Sequence, residues 1–112
     1  MLKIENINNV IVVAFKDVNR FNAIISDTVK EKVKSLFTSP NTKLVLDLTG
    51  IDFIDSTGFG VFLSIMKTAN NSFSYFKICN INEEVMELFK LLQLHNVFEI
   101  YKNLEDALKS FE

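Results

Sequence analysis

Within six residues the sequence places two carboxylates and two hydroxyls, Asp52, Asp55, Ser56 and Thr57, followed at once by Gly58, Phe59 and Gly60. Such a cluster suits a metal or acid/base centre, a nucleophile, or an acceptor for a transferred phosphoryl group. Carboxylate sites for magnesium need further oxygen ligands or substrate phosphates. A receiver-type pocket would want an acidic pair after the first strand of the parallel sheet, and the run Val10 to Lys16 leads only to Asp17. No metal site is expected at Asp47, Asp52 and Asp55. A nucleophile needs a base, yet the chain holds one histidine, His95, and one cysteine, Cys79. His95 is expected at a helix end, capping carbonyls or facing solvent. Neither a GxxxxGK[ST] nor a GxGxxG run is present to cradle a nucleotide. No catalytic residue and no cofactor are therefore expected, which leaves Ser56 as a helix cap or as an acceptor of phosphate.

These residues need elements to hold them. Lys43 to Leu48 has the composition of a buried strand, while Phe59, Phe62, Leu63 and Met66 recur at i, i+3, i+4 and i+7, the apolar stripe of a helix. Serine favours the N-cap, where its oxygen accepts from an unpaired first-turn amide, so Ser56 is predicted to be the helix boundary. Upstream, Leu2 to Glu5 alternates at period two and Val10 to Phe15 is continuously apolar, with turn residues Asn6 to Asn9 between them, a hairpin pattern. Ile25, Val29, Val33, Leu36 and Phe37 form one helical face that stops at Pro40. Downstream come a strand over Ser74 to Cys79, a helix capped by Asn82, a strand over Val97 to Tyr101 and a short helix opened by Asn103. The order ββαβαβαβα predicts an α/β fold, one domain over residues 1–112, with a mixed, mostly parallel sheet of about five strands and four helices.

Composition narrows the function. The net charge of −2 and pI near 5.4 supply no basic field, so nucleic acid is not expected as a partner. The longest apolar run, Val10 to Phe15, falls far short of the ~20 residues of a membrane span, and the start of the chain lacks a signal-peptide pattern, so no membrane insertion and a cytoplasmic location are expected. Cys79, in an apolar run, reads as a small buried thiol. The 11 phenylalanines fall mostly on predicted core stripes. Phe59, so close to the helix start, is open to two roles: first core residue, or outward anchor for a partner. All three glycines, Gly50, Gly58 and Gly60, flank Ser56, where a close approach or an unusual turn would need them.

Phosphorylation at Ser56 would add about −1.5 to −2 charges at pH 7, and the helix terminus would return only ~0.3–1 kcal/mol of attraction. Asp55 would repel the phosphate, as would Asp52 from further away. An interface that buried this unpaired charge would lose several kcal/mol. The helix would survive a modification that the complex would not.

Val45-Leu46-Asp47-Leu48 and Phe53-Ile54-Asp55-Ser56-Thr57-Gly58-Phe59-Gly60-Val61-Phe62-Leu63 resemble the signature of the STAS domain of bacterial anti-sigma factor antagonists, and the order and number of elements resemble that family over nearly the whole chain. The resemblance implies phosphorylation of Ser56, with Thr57 the lesser candidate, by a partner that is both anti-sigma factor and serine kinase. It further implies that the unmodified form binds this kinase and frees a sigma factor, that a metal-dependent serine phosphatase restores it, and that ATP and magnesium belong to the kinase. The implied partner surface comprises Asn22, Asp55, Ser56, Thr57, Gly58, Phe59 and Gly60, on a monomer or weak dimer. In one place the chain departs from the pattern: the family's Gly-x-Leu-Asp loop reads Arg20-Phe21-Asn22-Ala23 here, with Asn22 in place of the acid. A STAS subunit clamped on an ATP-binding cassette transporter for lipids, without a phosphoswitch, is the alternative reading.

Overall fold

The computed structural model describes residues 1–112. The chain opens with β1 (Leu2–Ile7) and β2 (Val10–Phe15), an antiparallel hairpin whose two turn residues, Asn8 and Asn9, take φ of 53° and 66°. A left-handed pair matches the twist of the flanking strands, and asparagine tolerates that region better than most side chains. β3 (Arg20–Phe21), α1 (Ala23–Lys34), β4 (Lys43–Asp47), β5 (Phe53–Ile54), α2 (Ser56–Asn71), β6 (Tyr75–Cys79), α3 (Glu83–Leu91), β7 (Glu99–Tyr101) and α4 (Leu104–Lys109) follow. The main sheet runs β1-β2-β4-β6-β7, antiparallel only at the hairpin. This is the expected mixed, mostly parallel α/β sheet with four helices. Two elements were not expected: the two-residue strands β3 and β5, which pair with each other as a separate parallel ribbon.

Alternation along β4 splits the core into two layers. Leu44 and Leu46 point to the face covered by α1, α2 and α3, while Val45 points to the face covered by α4 together with Val10, Val12, Cys79 and Ala107. The larger layer is built around aromatic edges: Phe62 lies 5.2 Å from Phe21, and Phe59 lies 5.0 Å from Phe89, both in T-shaped contact. Leu63, expected on the buried stripe of α2, is instead 38% exposed, because the face of this helix centres on Phe62, Ile65 and Ala69. α1 ends at Lys34, earlier than its apolar stripe predicted, yet Leu36 and Phe37 still pack on the core from the following turn. His95 is half-buried beyond α3, its Nδ1 enclosed without a partner, rather than capping carbonyls. Cys79 is buried as expected; burial first, and then the nearby Asp47 carboxylate, pushes its thiol up to about 12. No helix is long and apolar enough to cross a membrane.

Candidate functional site

The β3–β5 ribbon builds the site. It pairs Arg20 with Phe53 and Phe21 with Ile54, so the residues that follow, Asn22 and Asp55, emerge side by side at the starts of α1 and α2. Asp55 N–H donates to the Phe21 carbonyl at 3.1 Å and Asp52 N–H to the Asn19 carbonyl at 2.9 Å, which extends the ribbon at both ends. The Arg20 guanidinium stacks 4.3 Å over the Phe53 ring on its outer surface.

Each helix start is capped by a side chain. Asn22 Oδ1 accepts from Ile24 N–H at 3.0 Å. For α2 the cap is Asp55 and not Ser56. One carboxylate oxygen, Asp55 Oδ1, accepts from Thr57 N–H at 3.0 Å, Gly58 N–H at 3.2 Å and the Thr57 hydroxyl at 2.5 Å. The correction has a backbone cause: Asp55 is extended at φ −93°, ψ −177° as it leaves β5, and Ser56 is already the first residue of the helix. The Thr57 hydroxyl bond, joined by the amides of Gly58, Thr57 and Ala23 and opposed by desolvation, holds the Asp55 carboxyl below its ordinary value of 3.8. A depressed folded value stabilises the fold above that ordinary value, and the contribution is lost as pH falls through the folded one. Asp55→Asn retains a capping oxygen but cannot titrate. Urea midpoints across the acid range should therefore show the parent chain losing stability relative to Asp55→Asn as pH drops below the carboxylate range; parallel curves would contradict this.

The other candidates divide by exposure. Ser56, Thr57 and Gly60 are exposed, and Asn22 and Asp55 are half-buried. Ser56 Oγ has no hydrogen-bond partner, whereas Thr57 Oγ1 is held by Asp55 and lies 3.0 Å from Ser26 Oγ. Phe59 is 5% exposed and packs on Phe62 and Phe89, so its side chain is core and not a contact anchor. Gly58 is buried too. A Cβ there would lie 2.6 Å from Ile54 Cγ2 and 2.8 Å from Phe21 Cδ1, two core side chains with no room to retreat. Alanine in a helix gains up to ~1 kcal/mol over glycine, but such overpacking costs about 1–3 kcal/mol. Gly58→Ala should thus lower stability by roughly 1–2 kcal/mol in urea unfolding, and an unchanged or raised midpoint would show that α2 moves freely off the ribbon. Gly50, with φ +85°, supplies the turn between β4 and β5.

No group of three or more His, Cys, Asp or Glu side chains comes together to hold a metal. The ribbon and the start of α3 form an open polar concavity lined by Arg20, Asp52, Phe53, Asn82, Glu83 and Glu84. Arg20 and Phe53 were legible only through the family pattern, because a two-residue strand has no periodicity to read. Glu83 and Glu84 were legible only as first-turn acids of α3.

Residues 2–107 match the family described as the STAS domain. The chain is 30% identical over 84 residues to an anti-sigma-B factor antagonist of Listeria monocytogenes, covering 75% of this chain and 73% of that protein. It is 33% identical over 69 residues to an anti-sigma F factor antagonist of Paenibacillus polymyxa, covering 62% of this chain and 59% of that one. The matched stretch thus spans between 59% and 73% of the length of these relatives. Among solved structures, an anti-sigma-factor antagonist (STAS) domain protein from Planctomyces limnophilus superposes with a TM-score of 0.89 at 17% identity, covering 99% of this chain and 97% of that one. The Bacillus cell fate determinant SpoIIAA in its phosphorylated form does so at 0.70 and 14%, covering 100% of both chains. At these identities the structural likenesses speak for the fold.

Proposed function

Since the chain belongs to the STAS domain family, we propose that it is an anti-sigma factor antagonist, a non-catalytic binding module switched by phosphorylation at Ser56. Its unmodified form binds an anti-sigma factor that is also a serine kinase, and so releases a sigma factor; a metal-dependent serine phosphatase reverses the modification. The observation that carries this reading is the unequal treatment of two adjacent hydroxyls. Thr57 Oγ1 is committed to Asp55 and Ser26, while Ser56 Oγ stands exposed and unpartnered on the first residue of α2. Only the second is available to an approaching γ-phosphoryl group. In that transfer the Ser56 Oγ–P bond forms, the bond from phosphorus to the β–γ bridging oxygen breaks, ADP leaves and the hydroxyl proton passes to a base of the kinase. ATP and magnesium are the kinase's. The docking surface comprises the exposed start of α2, Ser56, Thr57 and Gly60, with Asn22 and Asp55 beside it.

The test is site mapping. The chain is incubated with ATP, magnesium and a purified anti-sigma serine kinase, and the product is digested and read by mass spectrometry. One phosphoryl group on Ser56 is expected, absent from Ser56→Ala and retained in Thr57→Val. Phosphate on Thr57, or none at all, would sink the proposal.

A further inference from the structure

Ser26 has no part in the surface described so far. It lies on α1 one turn beyond Asn22, and only 5% of it is exposed. Its Oγ is 2.7 Å from the Asn22 carbonyl oxygen and 3.0 Å from Thr57 Oγ1, so it joins the starts of α1 and α2 across 31 positions of sequence. Thr57 Oγ1 is in turn 2.5 Å from Asp55 Oδ1.

Counting protons shows what this chain can do. An ionised carboxylate only accepts, so Thr57 donates its single proton to Asp55 and offers Ser26 nothing but lone pairs. Ser26 also has one proton, and it faces two acceptors, the Asn22 carbonyl and Thr57 Oγ1. Three contacts share two protons. In the unmodified chain the shorter contact, to the Asn22 carbonyl, takes the Ser26 proton.

We propose that Ser26 is a positioning residue that couples the two halves of the docking surface: a negative group added at Ser56 draws its proton from the Asn22 carbonyl to Thr57 Oγ1. The inference rests on reading Ser56 as the modified residue. Its direction follows from electrostatics. Negative charge at the α2 start favours hydroxyl dipoles whose hydrogens point toward it, and bonds in a chain polarise and strengthen one another. The Asn22 carbonyl keeps the amides of Ile25 at 3.2 Å and Ser26 at 3.1 Å, so it is not orphaned when the hydroxyl turns away. Phosphate would then act twice, by repulsion at its own position and by loosening the loop that presents Asn22.

Backbone carbon and nitrogen chemical shifts of the labelled full chain test the coupling. Ser56→Asp is compared with its parent in three backgrounds: native, Ser26→Ala and Thr57→Val. In the native background the substitution should move the Asn22 carbonyl carbon upfield, as a lost hydrogen bond does, together with neighbouring loop amides. In both hydroxyl-deleted backgrounds the Asn22 response should vanish while the Gly58 amide still responds. An Asn22 response of equal size without the Ser26 hydroxyl, or no response in the native background, would overturn the coupling. No kinase is used. A kinase that ignores Ser56 would refute the functional reading without touching this result, and a failed coupling would leave Ser56 as the acceptor.

Discussion

Ser56→Asp is expected to weaken binding to the anti-sigma kinase by about 100-fold or more while the chain remains folded. The two effects separate because the substituted side chain sits where a helix tolerates charge and an interface does not. On the first residue of α2 a carboxylate meets the positive end of the helix, an attraction of ~0.3–1 kcal/mol, which the neighbouring Asp55 partly cancels. The melting temperature should accordingly shift by little. In the complex the same carboxylate is desolvated beside the Asp55 carboxylate, which caps the same helix start. An unpaired buried charge costs several kcal/mol, and every ~1.4 kcal/mol is tenfold in affinity. Titration calorimetry with the purified kinase measures the loss. Binding within threefold of the parent would remove the switch, and a complex with a transporter ATPase that ignores Ser56→Asp would favour the transport reading.

Phe62→Ala should cost about 3–5 kcal/mol of stability, the largest loss expected from any single truncation in this chain. Phe62 is fully buried, and its ring meets Phe21 at 5.2 Å, Phe59 at 6.2 Å, Phe89 at 6.2 Å and Phe98 at 6.4 Å. Those partners come from the ribbon, α2 itself, α3 and the approach to β7, so one ring ties the ribbon and α3 to α2. Removing it leaves a cavity whose aromatic walls are held by their own backbones and collapse only in part. Domains of this size are stable by about 5–15 kcal/mol, so the variant should be marginal or unfolded. With a urea slope of ~1–3 kcal/mol/M, the unfolding midpoint should fall by roughly 1 M or more. A loss under about 1 kcal/mol would mean that the cluster repacks.

The sequence by itself determined the strands of the main sheet and the four helices, and where most helices begin, but not the β3–β5 ribbon. Those properties are local: period-two and period-3.6 apolar patterns act along one segment, and Asn22, Asn82 and Asn103 each cap a helix within three residues of themselves. Ser56 was legible as the exposed hydroxyl of an acidic, glycine-flanked helix start for the same reason. Tertiary structure decided the rest. Asp55 caps α2 in place of Ser56 because the pairing of β3 with β5 carries the chain, still extended, as far as Asp55. Phe59 is core because α3 brings Phe89 to 5.0 Å, a packing partner thirty residues away in sequence. Gly58 is required by Phe21 and Ile54, which only the ribbon sets against it. The contact of Ser26 with Thr57 depends on two helix starts meeting, and no periodicity encodes a meeting. What a segment is follows from interactions among neighbours in sequence; what its side chains touch follows from how the segments pack.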